Sequence, residues 1–212
     1  MSVRISIADV RIGWTKEELK SGNGPPLVRL QNPSPKFYRI GPRDSLAGLF
    51  DRILTELDGG MIEMLSIYAH GYVEEDARHR THGGYGIAIG LEDILPGNAA
   101  ALFGRFKGHF AKPVLGIELV GCKVAVRSAV KIGATVAVGD GVALCRAIAT
   151  AAGTCVRASS EAQKFDAVAE FTTIVADKTS PLGRSMQSGT VVDPGPWEGN
   201  TWIICEKGSH KG

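Results

Sequence analysis

Three times between residues 44 and 159 a segment of helical period gives way to a short apolar run of strand length. "DSLAGLFDRILTEL" (44–57) puts Leu46, Leu49, Phe50, Ile53, Leu54 and Leu57 at helical spacing, with Asp44 or Ser45 as N-cap and Gly59-Gly60 as the stop, and the apolar "MIEMLSIYA" follows. "NAAALFGRFKGHF" (98–110) predicts a helix, Lys112-Pro113 breaks it, and "VLGIELVG" (114–121) predicts a second strand. "GVALCRAIATAAG" (141–153) predicts a small-residue helix with a glycine stop, and "TCVRAS" (154–159) a third strand. This alternation predicts an α/β domain: a mainly parallel sheet flanked by helices and joined by right-handed crossovers.

With 212 residues the chain is expected to form a single domain, residues 1–212, with a core over about 36–160 and strands and loops at 1–35 and 161–212. Beyond Ser160, "FDAVAEFTTIVAD" fits either a helix or a strand, "KTSPLGRSMQSGTVVDPGPWEGN" predicts an extended surface loop, and "TWIICEKG" a last strand. The formal charge of +2 comes from Lys and Arg scattered among almost as many acids, which argues against nucleic acid as a partner. In "MSVRISIADVRIGW", Arg4, Asp9 and Arg11 interrupt every apolar run, so neither a secretory segment nor a membrane span is expected there. A cytoplasmic location follows, with non-classical export left open. Cys122, Cys145, Cys155 and Cys205 lie far apart without a CxxC pair and read as reduced thiols, the last three as core residues. Nothing in the sequence calls for a cofactor, and the oligomeric state is unspecified.

In parallel sheets function gathers at the carboxyl ends of the strands. Two of the expected strands end in "AHG" and "VGC", which would bring His70 and Cys122, 52 residues apart, to one sheet edge. An imidazole facing a thiol supplies what nucleophilic thiol chemistry needs, and flanking glycines let the backbone approach a substrate carbonyl. The N–H groups of Gly71 and Cys122 could then form an oxyanion hole.

The segments "IYAHGY", "GYGIAIG", "LVGCKVA" and "GVALCRAIATAAGTCVRAS" resemble the caspase-like (clan CD) cysteine peptidases, the group of caspases, gingipains, legumain, separase and the autoprocessing domains of bacterial toxins. The resemblance covers roughly residues 36 to 160 and is strongest to bacterial members. In that family an apolar strand ends in His-Gly and the next main strand in a small residue and Cys. A histidine about 50 residues upstream of the cysteine is a caspase feature. The resemblance implies a caspase-like layered α/β fold, His70 as catalytic base, Cys122 as nucleophile, and a peptide or protein substrate cleaved by a thiol endopeptidase. The caspase signature Q-A-C-x-G is absent, since Val120-Gly121 precede Cys122 and Lys123-Val124-Ala125 follow it. Because some superfamily members have lost activity, the alternative is a catalytically inactive module used for protein interaction or scaffolding.

Three other patterns compete. His70, Glu74, His79 and His82 could ligate a divalent metal, but the density of charge and Gly83-Gly84 favour a solvated loop, and no HExxH is present. "ATVAVGDGVAL" (134–144) has Gly139 and Gly141 but Leu144 in place of the third glycine of a dinucleotide turn, and "GRSMQSG" (183–189) has Gln187 where G-x-S-x-G needs glycine.

Overall fold

In the computed structural model, which describes residues 2–78, 80–132, 134–177, 179–181 and 183–212, the first half of the chain runs β1 (Ser2–Asp9), α1 (Lys16–Ser21), β2 (Leu27–Leu30), β3 (Lys36–Ile40), α2 (Leu46–Leu57), β4 (Met61–Tyr68), and the short strands β5 (His70–Gly71), β6 (Glu74–Glu75), β7 (Thr81–His82) and β8 (Ile87–Ala88). The second half runs α3 (Ala99–Phe103), β9 (Ile117–Val120), β10 (Arg127–Ile132), β11 (Thr135–Asp140), α4 (Gly141–Ala152), β12 (Val156–Ser159), β13 (Asp166–Ala176), β14 (Arg184–Asp193), β15 (Thr201–Cys205) and β16 (Gly208–Lys211). Seven strands form the central sheet in the order β16-β15-β12-β9-β4-β1-β3. From β3 to β12 neighbours are parallel, and β15 and β16 close one edge antiparallel. The chain is thus a mixed α/β protein with a mostly parallel sheet.

The strands present two different faces. Ile5, Ile7, Leu65, Ile67, Ile117, Leu119, Val156 and Ala158 point to one side, where they share a core with Phe50 and Ile53 of α2, Phe103 of α3, and Leu144 and Ile148 of α4. Phe50 stands edge-on to Phe103 and Phe106 at 5.3 and 4.8 Å between ring centroids. On the opposite side Ser6, Ser66, Glu118 and Arg157 lie in register as a polar row across four strands. A second sheet, β13-β14-β2, covers part of that side, with Val28, Leu30 and Val192 packed on Ala8, Val10 and Ile12.

Of the helices, α2, α3 and α4 lie on one face of the sheet instead of flanking it, and the short α1, which buries no residue, belongs to the β1–β3 connection. Connectivity gives the reason. The chain steps from β3 to β4 to β9 to β12 in one direction across the sheet, and right-handed crossovers then fall on one side. The step from β1 to β3 runs the other way, and its connection, carrying β2, covers the other face.

Two further expectations are corrected. Cys155 and Cys205 are joined in a disulfide, not reduced. They sit just past the antiparallel pair Val156 and Ile204, with Cα atoms 4.4 Å apart, an adjacency created by β12–β15 pairing and invisible in their separation of 50 residues. The stretch read as a surface loop contains β14, ten residues paired with β13, which settles "FDAVAEFTTIVAD" as strand. From the N-terminal segment outside the expected core, β1 is an interior strand between β3 and β4.

Candidate active site

β4 and β9 are parallel neighbours with Tyr68 opposite Val120, so the chain leaves both strands side by side. Ala69 N–H donates to the Val120 carbonyl at 3.1 Å, and the next residues are His70 on one side and Gly121-Cys122 on the other. The two backbones touch: a Cβ at Gly71 would fall inside van der Waals contact of the Cys122 carbonyl oxygen, and one at Gly121 would press on the Ala69 carbonyl. Glycine at both positions is a requirement of this close approach. Directly after the thiol, Lys123 adopts φ 51°, a left-handed conformation uncommon outside glycine. Its N–H donates to the Glu161 carbonyl at 2.8 Å and its Nζ to the Thr81 carbonyl at 2.6 Å, which pins the turn that carries Cys122.

His70 is half-buried and its Nε2 lies 3.0 Å from the Arg11 carbonyl oxygen. A carbonyl only accepts, so Nε2 carries the hydrogen and, in the neutral ring, Nδ1 keeps its lone pair. The Phe165 ring stands perpendicular to the imidazole at 6.1 Å between centroids. Cys122 is also half-buried, and its Sγ–H donates to the Gln163 carbonyl at 3.3 Å. Gln163 is clasped in turn by Glu198, through Nε2 to the Glu198 carbonyl at 3.0 Å and the Glu198 N–H to Oε1 at 3.2 Å. Both candidate side chains thus lean on the segment 163–165, and among the described residues no hydrogen bond joins imidazole to thiol.

The two N–H groups expected for an oxyanion hole differ in how they are left free. Cys122 N–H donates to no backbone carbonyl among the described residues. Tyr72 N–H donates to Gly86 O, so Gly71 and Ile87 form the non-hydrogen-bonded pair between β5 and β8, and Gly71 N–H turns away from β8. A cleft lined by Tyr68, Glu118, Val120, Gln163 and Trp197 shares Gln163 with the hydrogen bond of the thiol. Glu118 in it accepts from Ser66 Oγ at 2.8 Å and pairs with Arg157 at 3.2 Å. Burial and the Glu118 charge push the Tyr68 hydroxyl above its ordinary range, which keeps it protonated.

The supports of His70 do not stand out in the sequence. Asp9, at the end of β1, is fully buried and pairs with Arg11, and the hydrogen bonds that the guanidinium donates to Asp9 hold it above its ordinary pKa. Asp93 accepts from Tyr72 Oη at 2.6 Å and from Ile89 N–H at 2.9 Å. The available signal was an acid stopping the apolar run "ISIA", two residues before an arginine.

Among the described residues no three His, Cys, Asp or Glu side chains converge as a metal site. His82 lies against Asp76, whose carboxyl Arg80 holds well below the usual range; His79 lies outside the described residues. Gly139 and Gly141 pack against the backbones of Gly83 and Val124, and the "GRSMQSG" segment runs into β14 instead of a strand-to-helix elbow. A scan against protein-family models, curated proteins and solved structures finds nothing that matches the chain.

Proposed function

We propose that the chain is a caspase-like cysteine endopeptidase of layered α/β architecture, with His70 and Cys122 as its dyad and a peptide or protein as its substrate. The observation that carries the reading is the departure of His70-Gly71 and Gly121-Cys122 from adjacent parallel strands, with Gly71 packed against the Cys122 carbonyl. In the proposed reaction His70 Nδ1 takes the thiol proton as sulfur bonds to the scissile carbonyl carbon. The carbonyl becomes an oxyanion facing the N–H groups of Gly71 and Cys122. Collapse breaks the C–N bond, Nδ1 gives its proton to the leaving amine, and a thioester remains. Water, deprotonated by Nδ1, then releases the acid and restores the thiol.

A second reading, a catalytically inactive interaction module, is favoured by one observation: the thiol donates to Gln163 and not to His70. Incubation with a peptide mixture of varied sequence, with products identified by mass spectrometry, separates the two. The peptidase gives internal cleavages that Cys122→Ala abolishes. A native protein that gives none, and whose Cys122 reacts with electrophiles only after denaturation, is the inactive module.

A further inference from the structure

Asp9 touches neither His70 nor Cys122 in the hydrogen-bond network, yet it is fully buried, where a carboxylate is costly unless paired and hydrogen-bonded. Its Oδ1 accepts from Arg11 N–H at 2.9 Å and Arg11 Nε at 2.8 Å, and its Oδ2 from the Arg11 terminal nitrogen at 2.8 Å and Gly90 N–H at 2.9 Å. Capping the 3-10 turn Val10–Gly13 requires only the first of these. The remaining three bind the guanidinium and the end of the segment that carries β8.

Each of those partners leads to the imidazole. The Arg11 carbonyl takes the Nε2 hydrogen of His70, and it also accepts Trp14 N–H at 3.0 Å, so both its lone pairs are occupied. Its direction is set by the turn that Asp9 opens. Gly90 follows β8, which pairs with His70 and Gly71, and the Arg11 guanidinium reaches back to the Gly90 carbonyl at 3.3 Å and to Asp93 at 3.8 Å. Asp9 therefore braces the acceptor of the ring and the strand beside it.

We infer that Asp9 is a positioning residue for His70: through Arg11 and Gly90 it holds the ring as the Nε2–H tautomer and leaves the Nδ1 lone pair for a proton from Cys122. The tautomer stands on the hydrogen bonds alone; its use as a base rests on the peptidase reading.

The test is long-range 1H–15N correlation of the histidine rings, with His70 assigned by its loss in His70→Gln, alongside the rate at which a peptide-derived electrophile alkylates Cys122. Wild type is expected to show His70, when neutral, as the Nε2–H tautomer only. Asp9→Asn, which keeps the shape of the side chain, should give a mixture of tautomers and slow alkylation about tenfold or more, and Arg11→Lys, which retains the backbone bond to Asp9, should do less. Wild-type His70 found as the Nδ1–H tautomer overturns the inference even if Asp9→Asn fails to fold. So does a folded Asp9→Asn with the wild-type tautomer and rate. If Asp9→Asn mixes the tautomers while native wild type resists the electrophile, the positioning role holds and the peptidase reading falls.

Discussion

Cys122 and Cys145, the two free cysteines, meet opposite surroundings. Cys122 is half-buried at the sheet edge, whereas Cys145 has no exposed surface inside α4 and burial pushes its thiol up to about 12. A thiol-specific reagent should therefore find one equivalent in the native protein, two after denaturation and four only after reduction; two fast native equivalents would contradict this. Cys145 also gives a pH dependence with a definite sign. Its folded pKa lies above the ordinary value of 9.0, so the folded state holds the proton longer, and stability should be unaffected below about pH 9 and fall as pH rises toward 12. The slope from this group is about 1.4 kcal/mol per pH unit, and chemical denaturation between pH 9 and 11 should show Cys145→Ala losing less stability than wild type. His70 and Cys122 were legible because an apolar run stopping on His-Gly or Gly-Cys is a local signal. Asp9 was not, because its meaning depends on Gly90, far along the chain.

Elements were legible where period and caps agree. In α2, Ser45 Oγ accepts Gly48 N–H at 3.0 Å and every third or fourth residue is buried; α4 is opened by Asp140 and stopped by Gly153 in the left-handed region. The segment read as a helix over 98–110 yields only α3, followed by a 3-10 turn at Gly104–Phe106, because two glycines dilute its helical preference. β14 is not legible in the sequence because its first half, "RSMQS", buries nothing fully and carries its alternation mostly in polar residues. At this scale the junction of β5 with the Cys122 turn makes a clear prediction. Gly71→Ala sets a methyl against a backbone carbonyl that cannot swing away, and should cost about 1–3 kcal/mol in denaturant unfolding and slow Cys122 alkylation. Gly97→Ala, with open space around it, should change neither. Equal effects from the two substitutions would remove the close approach from the account.

Across the whole molecule, the sheet divides labour between its ends. The site lies beyond the carboxyl ends of β4 and β9, whereas the Cys155–Cys205 disulfide sits at the start of β12, toward the opposite end. Replacing both cysteines with alanine should lower stability by about 2–5 kcal/mol while leaving the native reactivity of Cys122 unchanged. Among the described residues no helix is long and apolar enough to cross a membrane. Fold class was legible because alternating helices and strands demand parallel crossovers. The placing of α2, α3 and α4 on one face was not, since it follows from the spatial order of strands. The most direct test of the central claim, that His70 and Cys122 work as a unit, is the rate at which a peptide-derived electrophile modifies native Cys122, read by intact mass in wild type and in a folded His70→Ala. Joint action predicts stoichiometric labelling in wild type and a rate at least about a hundredfold lower without the imidazole. Equal rates in the two proteins would contradict it.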